Sequence, residues 1–172
     1  IPTESDYILQ EGDIVSLDAG LTHEGMIADA CITVPVGSVD EKGLDLIAAA
    51  ERARDAGVAV CKAGAHLGDI GAAIELSLHG TSFGVVEDLG GHGVGNKVHE
   101  APHIFHTGIH GTGDKLIAGM VITIEPTISE GSTDIVLDPD GYTYRTADGS
   151  RTAQFEHTIV ITESGSEILT TL

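Results

Sequence analysis

Ile14-Val15-Ser16-Leu17-Asp18-Ala19-Gly20 and, after five residues, Met26-Ile27-Ala28-Asp29-Ala30-Cys31-Ile32-Thr33-Val34-Pro35-Val36 are the stretches on which the fold turns. Both are rich in the β-branched and apolar residues that suit a pleated surface, and Gly12-Asp13 supplies a turn ahead of the first. Residues 21–25 between them are few enough for a hairpin, which places Asp18 and Asp29 on neighbouring strands. Strand interiors are depleted in Asp, so these two carboxylates are unusual as plain structure, although a turn or surface role would suffice for either alone.

Upstream, Ile1-Pro2-Thr3-Glu4-Ser5-Asp6 reads as an extended lead-in. Downstream, Ser38-Val39-Asp40-Glu41 fits a capping box with Ser38 as N-cap. Leu44, Ile47, Ala48, Arg52 and residues 58–61 then keep helical spacing up to a stop near Gly64. A second helix is predicted over 67–79, with Ile70, Ala73, Ile74 and Leu78 on one face and Gly80 as its end. From Gly90 onward the chain reads as loop and strand. A strand over 120–128 is interrupted by Glu125-Pro126, Asp138-Pro139-Asp140-Gly141 is a turn, and strands follow over 143–151 and 152–162. No linker, repeat or low-complexity tract divides the chain, so residues 1–172 are expected to form one α+β domain.

Charge narrows the function. Eight basic residues against 27 acidic ones give −19, which repels phosphate backbones and anionic membranes alike. Aromatics are 3% with no Trp, a poor supply of stacking surfaces for bases, so no direct nucleic-acid binding is expected. Two cysteines make no disulfide framework, and no apolar run reaches the ~18–20 residues that span a bilayer. With no signal peptide at its start, the chain is expected to be soluble and cytoplasmic. It opens on Ile1 rather than Met, so something upstream is expected to have been removed or left out.

Two further features are costly as structure alone. Gly90-Gly91-His92-Gly93-Val94-Gly95 strips the neighbours of His92 of side chains, letting backbone bring an imidazole into a site; Val98-His99-Glu100-Ala101-Pro102 follows. Neither a dinucleotide fingerprint nor a P-loop is present, since no strand-to-helix turn and no Gly-Lys-Ser/Thr occur there. His103, His106 and His110 suit a solvated His-rich loop, whereas His92 and His99 are harder to dismiss. Glu125, between Ile124 and Pro126, and Glu156, ahead of Ile159-Val160-Ile161, would be costly if buried without partners. With so few basic residues, a cation is the better partner. Asp18, Asp29, His92, Glu125 and Glu156 together are rich in hard oxygen donors and poor in thiolate, which suits two adjacent divalent ions (Mn, Fe, Co or Zn) better than a closed structural zinc site. Such a pair activates water for hydrolysis.

Those five residues, in the segments Leu17-Asp18, Asp29, Gly91-His92-Gly93-Val94-Gly95, Val98-His99-Glu100-Ala101-Pro102, Ile124-Glu125-Pro126 and Ala153-Gln154-Phe155-Glu156-His157-Thr158, resemble the type I methionine aminopeptidases in residue type and order. The resemblance implies the pita-bread fold, a curved antiparallel sheet with helices outside. It implies that Asp18 holds one metal, that Asp29 and Glu156 bridge, and that His92 and Glu125 hold the other. It further implies removal of the N-terminal Met from nascent chains, with Glu125 as general base and then acid, and His99 steadying the tetrahedral intermediate. Val98 and Tyr142 fall at substrate-pocket positions, where the family often has Phe and Trp, and Thr127 stands where Met or Phe is usual. The family has a further N-terminal segment, so a missing segment or a partner chain is expected to complete the fold. Proline-directed relatives (Xaa-Pro aminopeptidases and prolidases) and a truncated, non-catalytic binding module are the competing readings.

Overall fold

The computed structural model describes residues 7–171; the lead-in expected over residues 1–6 lies outside the described residues. β1 (Ile14–His23) and β2 (Met26–Pro35) make the expected hairpin with a tighter turn. Pairing continues until His23 faces Met26, leaving only Glu24 and Gly25 at the tip, with φ of 49° and 84°. Two central residues of that hand match the twist of the flanking strands, so most of the loop expected over 21–25 is strand. In this register Asp18 faces Cys31 and Gly20 faces Asp29, and the alternation of a strand puts all four on one face.

α1 (Glu41–Ala59) starts behind Asp40, whose Oδ1 accepts the Gly43 N–H at 2.7 Å. The N-cap is thus Asp40 rather than the expected Ser38. A carboxylate satisfies the positive end of a helix better than a hydroxyl, and Arg151 Nη2 holds it from outside at 3.0 Å. The helix ends at Ala59, short of the expected stop near Gly64. α2 (Leu67–Ser77) falls within the predicted span. Its capping box, unforeseen, is His66 with Asp69, whose Oδ2 accepts the His66 N–H at 2.8 Å.

The remaining elements are strands: β3 (Gly84–Val85), β4 (Gly91–Gly93), β5 (Glu100–Ile104), β6 (Val121–Ile124), β7 (Thr127–Ser129), β8 (Ile135–Leu137), β9 (Tyr144–Thr146), β10 (Thr152–Gln154), β11 (Glu156–Ile161) and β12 (Ser166–Ile168). They build an antiparallel sheet in the order β1-β2-β11-β6-β4-β5, with β12 on β11, a small sheet β10-β7-β3, and the separate hairpin β8-β9. The strands expected over 120–128 and 152–162 are each cut in two. β6 and β11 belong to the large sheet, while β7 and β10 belong to the small one. The cuts fall at Glu125-Pro126, where Pro offers no N–H to a ladder, and at Phe155, which turns inward beneath the Arg54 guanidinium, 5.4 Å from its ring centroid. The strand expected over 143–151 shrinks to β9, because Gly149 at φ 74° turns the chain back. The Asp138–Gly141 turn forms as expected, with the Gly141 N–H on the Asp138 carbonyl at 3.0 Å.

Strand alternation also separates core from site. Ile122 pairs with Ile159, and both point with Ile124 and Ile161 toward the helices. There they meet Leu46, Ala49, Ala50 and Ala53 of α1 and Ile70 and Ile74 of α2. Thr123 pairs with Thr158, and these point with Glu156 the opposite way. α1 lies close because its contact residues are small: a Cβ on Gly57 would press on Ile124 and Ile74. Leu46 is fully buried. Leu46→Ala should therefore lower stability by about 2–5 kcal/mol, read from the urea midpoint, since the rigid sheet cannot collapse into the gap. A loss below about 0.5 kcal/mol, the usual range for surface changes, would contradict this packing.

Candidate metal centre

The face turned away from the helices gathers all five expected ligands from five strands or their ends. Asp29 of β2, His92 of β4 and Glu156 of β11 are buried, and each places one ligand atom within 4.8 Å of the others. Glu125, at the end of β6, sets Oε1 3.3 Å from His92 Nε2. Asp18 of β1 adjoins Asp29: burial raises the pKa of its carboxyl, and the charge and hydrogen bond of Asp29 raise it further. Both glutamates sit where the chain passes between the two sheets, so the cuts in the expected strands are what aim them.

Local bonds fix the Asp29 main chain, His92 and the Glu125 carboxylate. Thr158 Oγ1 accepts the Asp29 N–H at 2.9 Å and donates to the Asp29 carbonyl at 2.7 Å. The His92 N–H bonds Thr123 Oγ1 at 2.9 Å, and the same hydroxyl donates to Glu125 Oε1 at 2.7 Å. Gln154 Nε2 donates to Glu125 Oε2 at 3.2 Å. His92 Nδ1 lies 3.0 Å from the Gly93 carbonyl; a carbonyl only accepts, so Nδ1 carries the hydrogen and Nε2 presents its lone pair to the site. The flanking glycines let neighbouring backbone close in, since a Cβ on Gly91 would strike the Thr123 carbonyl and one on Gly93 the Ala101 carbonyl.

Charge is concentrated and uncompensated by the protein. Among the described residues, no Lys or Arg pairs with Asp18, Asp29, Glu125 or Glu156. Burial, then Glu125, Asp29 and Asp18, push the Glu156 pKa well above the carboxylate range. Burial raises Glu125 also, against the Thr123 hydroxyl, with Asp18 and Asp29 adding to the rise. Cys31, facing both Asp18 and Glu156, is pushed up to about 12 by burial and by the surrounding carboxylates, so its sulfur is a thiol at neutral pH.

The profile of metallopeptidase family M24 matches residues 1–163. The chain belongs to metallopeptidase family M24. It is 44% identical over 163 residues to methionine aminopeptidase B of Synechocystis sp., covering 95% of this chain and 60% of that protein. Methionine aminopeptidase of Thermotoga maritima superposes with a TM-score of 0.93 at 44% identity, over 96% of this chain and 66% of that one. X-Pro aminopeptidase of the same organism gives 0.74 at 26% identity, over 98% and 42%. This M24 chain therefore spans 60 to 66% of the length of the first curated relatives it matches. The curved antiparallel sheet with two helices is that of the pita-bread fold, as the resemblance implied.

Divalent-metal use follows from membership of the M24 metallopeptidases. The residues present fit such an ion. Glu156 Oε1 is buried with no hydrogen-bond partner among the described residues, amid three more carboxylates and an imidazole lone pair. A buried carboxylate oxygen without a donor is costly, and a cation is the partner this donor set offers to satisfy it.

Of the other residues singled out from the sequence, His99 stands edge-on to His92, ring centroids 4.4 Å apart, and is exposed. Val98 beside it is 37% exposed. Tyr142 lies on the β8–β9 turn, with its N–H on Asp140 Oδ1 at 2.9 Å. His110 is exposed in a turn, as expected of a solvated loop, whereas His103 is exposed on strand β5, where it pairs with His92 of β4. His106 is not. It is 2% exposed, its Nε2 accepts the Glu125 N–H at 3.3 Å, and burial brings its pKa down to about 3. The period of two was the available signal, because Ile104 and His106 turn inward where His103 and Phe105 turn outward.

Proposed function

We propose that this chain carries the catalytic centre of a methionine aminopeptidase, removing the N-terminal Met from nascent chains in the cytoplasm. The observation that carries the reading is the convergence of four carboxylates and one imidazole on a single face, in a chain so similar to methionine aminopeptidases. Asp18, Asp29 and Glu156 would hold one divalent ion and Asp29, Glu156, His92 and Glu125 a second, drawn from Co, Mn, Fe or Zn. When bound, such ions lower the pKa of a water and polarise the scissile carbonyl. Glu125 takes the proton from the attacking water and returns it to the leaving amine; its carboxyl is suited to both because burial brings its proton affinity closer to neutrality. His99, edge-on to His92, would donate to the oxygen that gains charge as the carbonyl becomes tetrahedral. Val98 and Tyr142 are assigned to the wall that receives the Met side chain.

The test is free methionine released from Met-Ala-Ser in Co or Mn, with and without chelator, beside a peptide led by Xaa-Pro. Chelator-sensitive release from Met-Ala-Ser alone is expected. Cleavage only of the Xaa-Pro peptide would replace this reading with the proline-directed one. Metal binding without cleavage of either would make the chain a binding module, or one that needs the family's additional segment.

A further inference from the structure

We infer that His106 is a positioning residue for Glu125: its imidazole holds the Glu125 main chain at the point where that chain leaves the sheet. The inference rests on the reading of Glu125 as a ligand and proton carrier. Up to Ile124, which pairs with His157, β6 is held by the ladder of the large sheet. Glu125 is out of that register, and Pro126 has no N–H to continue it. Thr127 already belongs to the small sheet. The Glu125 N–H is thus a donor without a strand partner at the rim of a buried site, where such a group must be satisfied. His106 Nε2 satisfies it, at 3.3 Å.

Glu125 is then held at three atoms: Oε1 by Thr123, Oε2 by Gln154 and N by His106. The first two set the carboxylate relative to the large and small sheets. The third sets the backbone from which the carboxylate extends, and it comes from a different direction. His106 follows β5, the edge strand two places beyond β6, and β5 begins at Glu100, directly after His99. One short segment built around β5 therefore carries the residue assigned to substrate just before it and the anchor of Glu125 just after it. The polarity of the buried ring is used on one side only, because Nδ1 meets no partner among the described residues. A Leu would fill the same volume without an acceptor. Gln reaches about as far as Nε2 and restores one, whereas Asn is too short to do so.

The experiment compares the full chain with His106→Leu, His106→Gln and His106→Asn, by cobalt titration calorimetry, by Met-Ala-Ser hydrolysis and by amide exchange at Glu125. Loss of a group that orients a ligand costs about 10–100-fold in metal affinity or activity. The Leu and Asn variants should show such a loss in cobalt affinity and in kcat, with KM within about twofold, because substrate contacts are untouched. Exchange at the Glu125 amide should rise at least about tenfold in both. Gln should recover most of each loss. If Leu does not fold, the contrast between Gln and Asn decides, as both are polar and differ in reach. Wild-type kcat, cobalt affinity and exchange in the Leu or Asn variant would overturn the inference, as would a Gln variant no better than Asn. Should the unaltered chain bind cobalt but release no methionine, the two outcomes named for the aminopeptidase reading apply, while the cobalt and exchange contrasts still decide for or against His106. Exchange needs neither metal nor turnover.

Discussion

Glu125→Gln is expected to lower kcat on Met-Ala-Ser by about 10²–10⁴-fold, the usual worth of a positioned general acid–base group. The substitution keeps the shape and most of the bonds. An amide oxygen can still accept from Thr123, and the Gln154 amide can rotate to present its oxygen to the new NH2. What disappears is a group able to take a proton and give it back. KM should stay within a few-fold, since nothing that faces substrate has moved. Cobalt content measured alongside separates the two roles assigned to Glu125. Loss of kcat with metal retained isolates proton transfer, and loss of both shows that the carboxylate charge is needed to hold the ion. A kcat within tenfold of wild type would remove Glu125 from the mechanism.

The centre was legible in the sequence because its residues violate local rules. A carboxylate in a strand, or a Glu between Ile124 and Pro126, makes no sense for a strand alone, and such conflicts gather where function overrides local preference. The β1–β2 hairpin, the two helices and the turn at Asp138–Gly141 were readable for the opposite reason, because they obey local chemistry. What could not be read was the seam. Residues 120–128 and 152–162 each look like one strand, because the period of two says nothing about which sheet a residue joins. Only the packed molecule shows that Glu125-Pro126 and Phe155 are crossing points between sheets. His106 was missed for a related reason: a histidine among four others reads as surface until the inward turn of Ile104 extends to it. Ser38 as N-cap failed because capping patterns weigh neighbours in sequence, whereas Asp40 is selected by Arg151, far away in the chain.

Glu156→Gln should abolish metal-dependent hydrolysis and, at the same time, stabilise the metal-free chain above neutrality. In the folded chain burial and three carboxylates raise the proton affinity of Glu156 above that of an ordinary glutamate. The folded state then binds more protons than the unfolded one, so the stability linked to this group is complete below the ordinary carboxylate pKa and is lost as pH rises through the raised one. Asp18 and Glu125 are shifted in the same direction and add to that loss. The metal-free chain should therefore lose at least about 1.4 kcal/mol, the worth of one pKa unit, between about pH 5 and about pH 8. The net charge of −19 also disfavours the folded state as pH rises, but that repulsion lies largely at the surface and is screened by salt. In about 0.5 M salt the remaining slope belongs to the buried cluster. Gln removes the charge while keeping the volume, so the variant should unfold at higher urea than wild type at high pH and show a flatter profile. Cobalt should reverse the order, stabilising wild type by about 2.7 kcal/mol at a free concentration 100 times its Kd and the variant far less. A variant whose stability falls with pH as steeply as wild type in high salt would contradict the assignment. Were the order to reverse as expected, the instability of the empty cluster and its hold on the ion would be two readings of the same unpaired carboxylates, with the function placed where the fold alone is weakest.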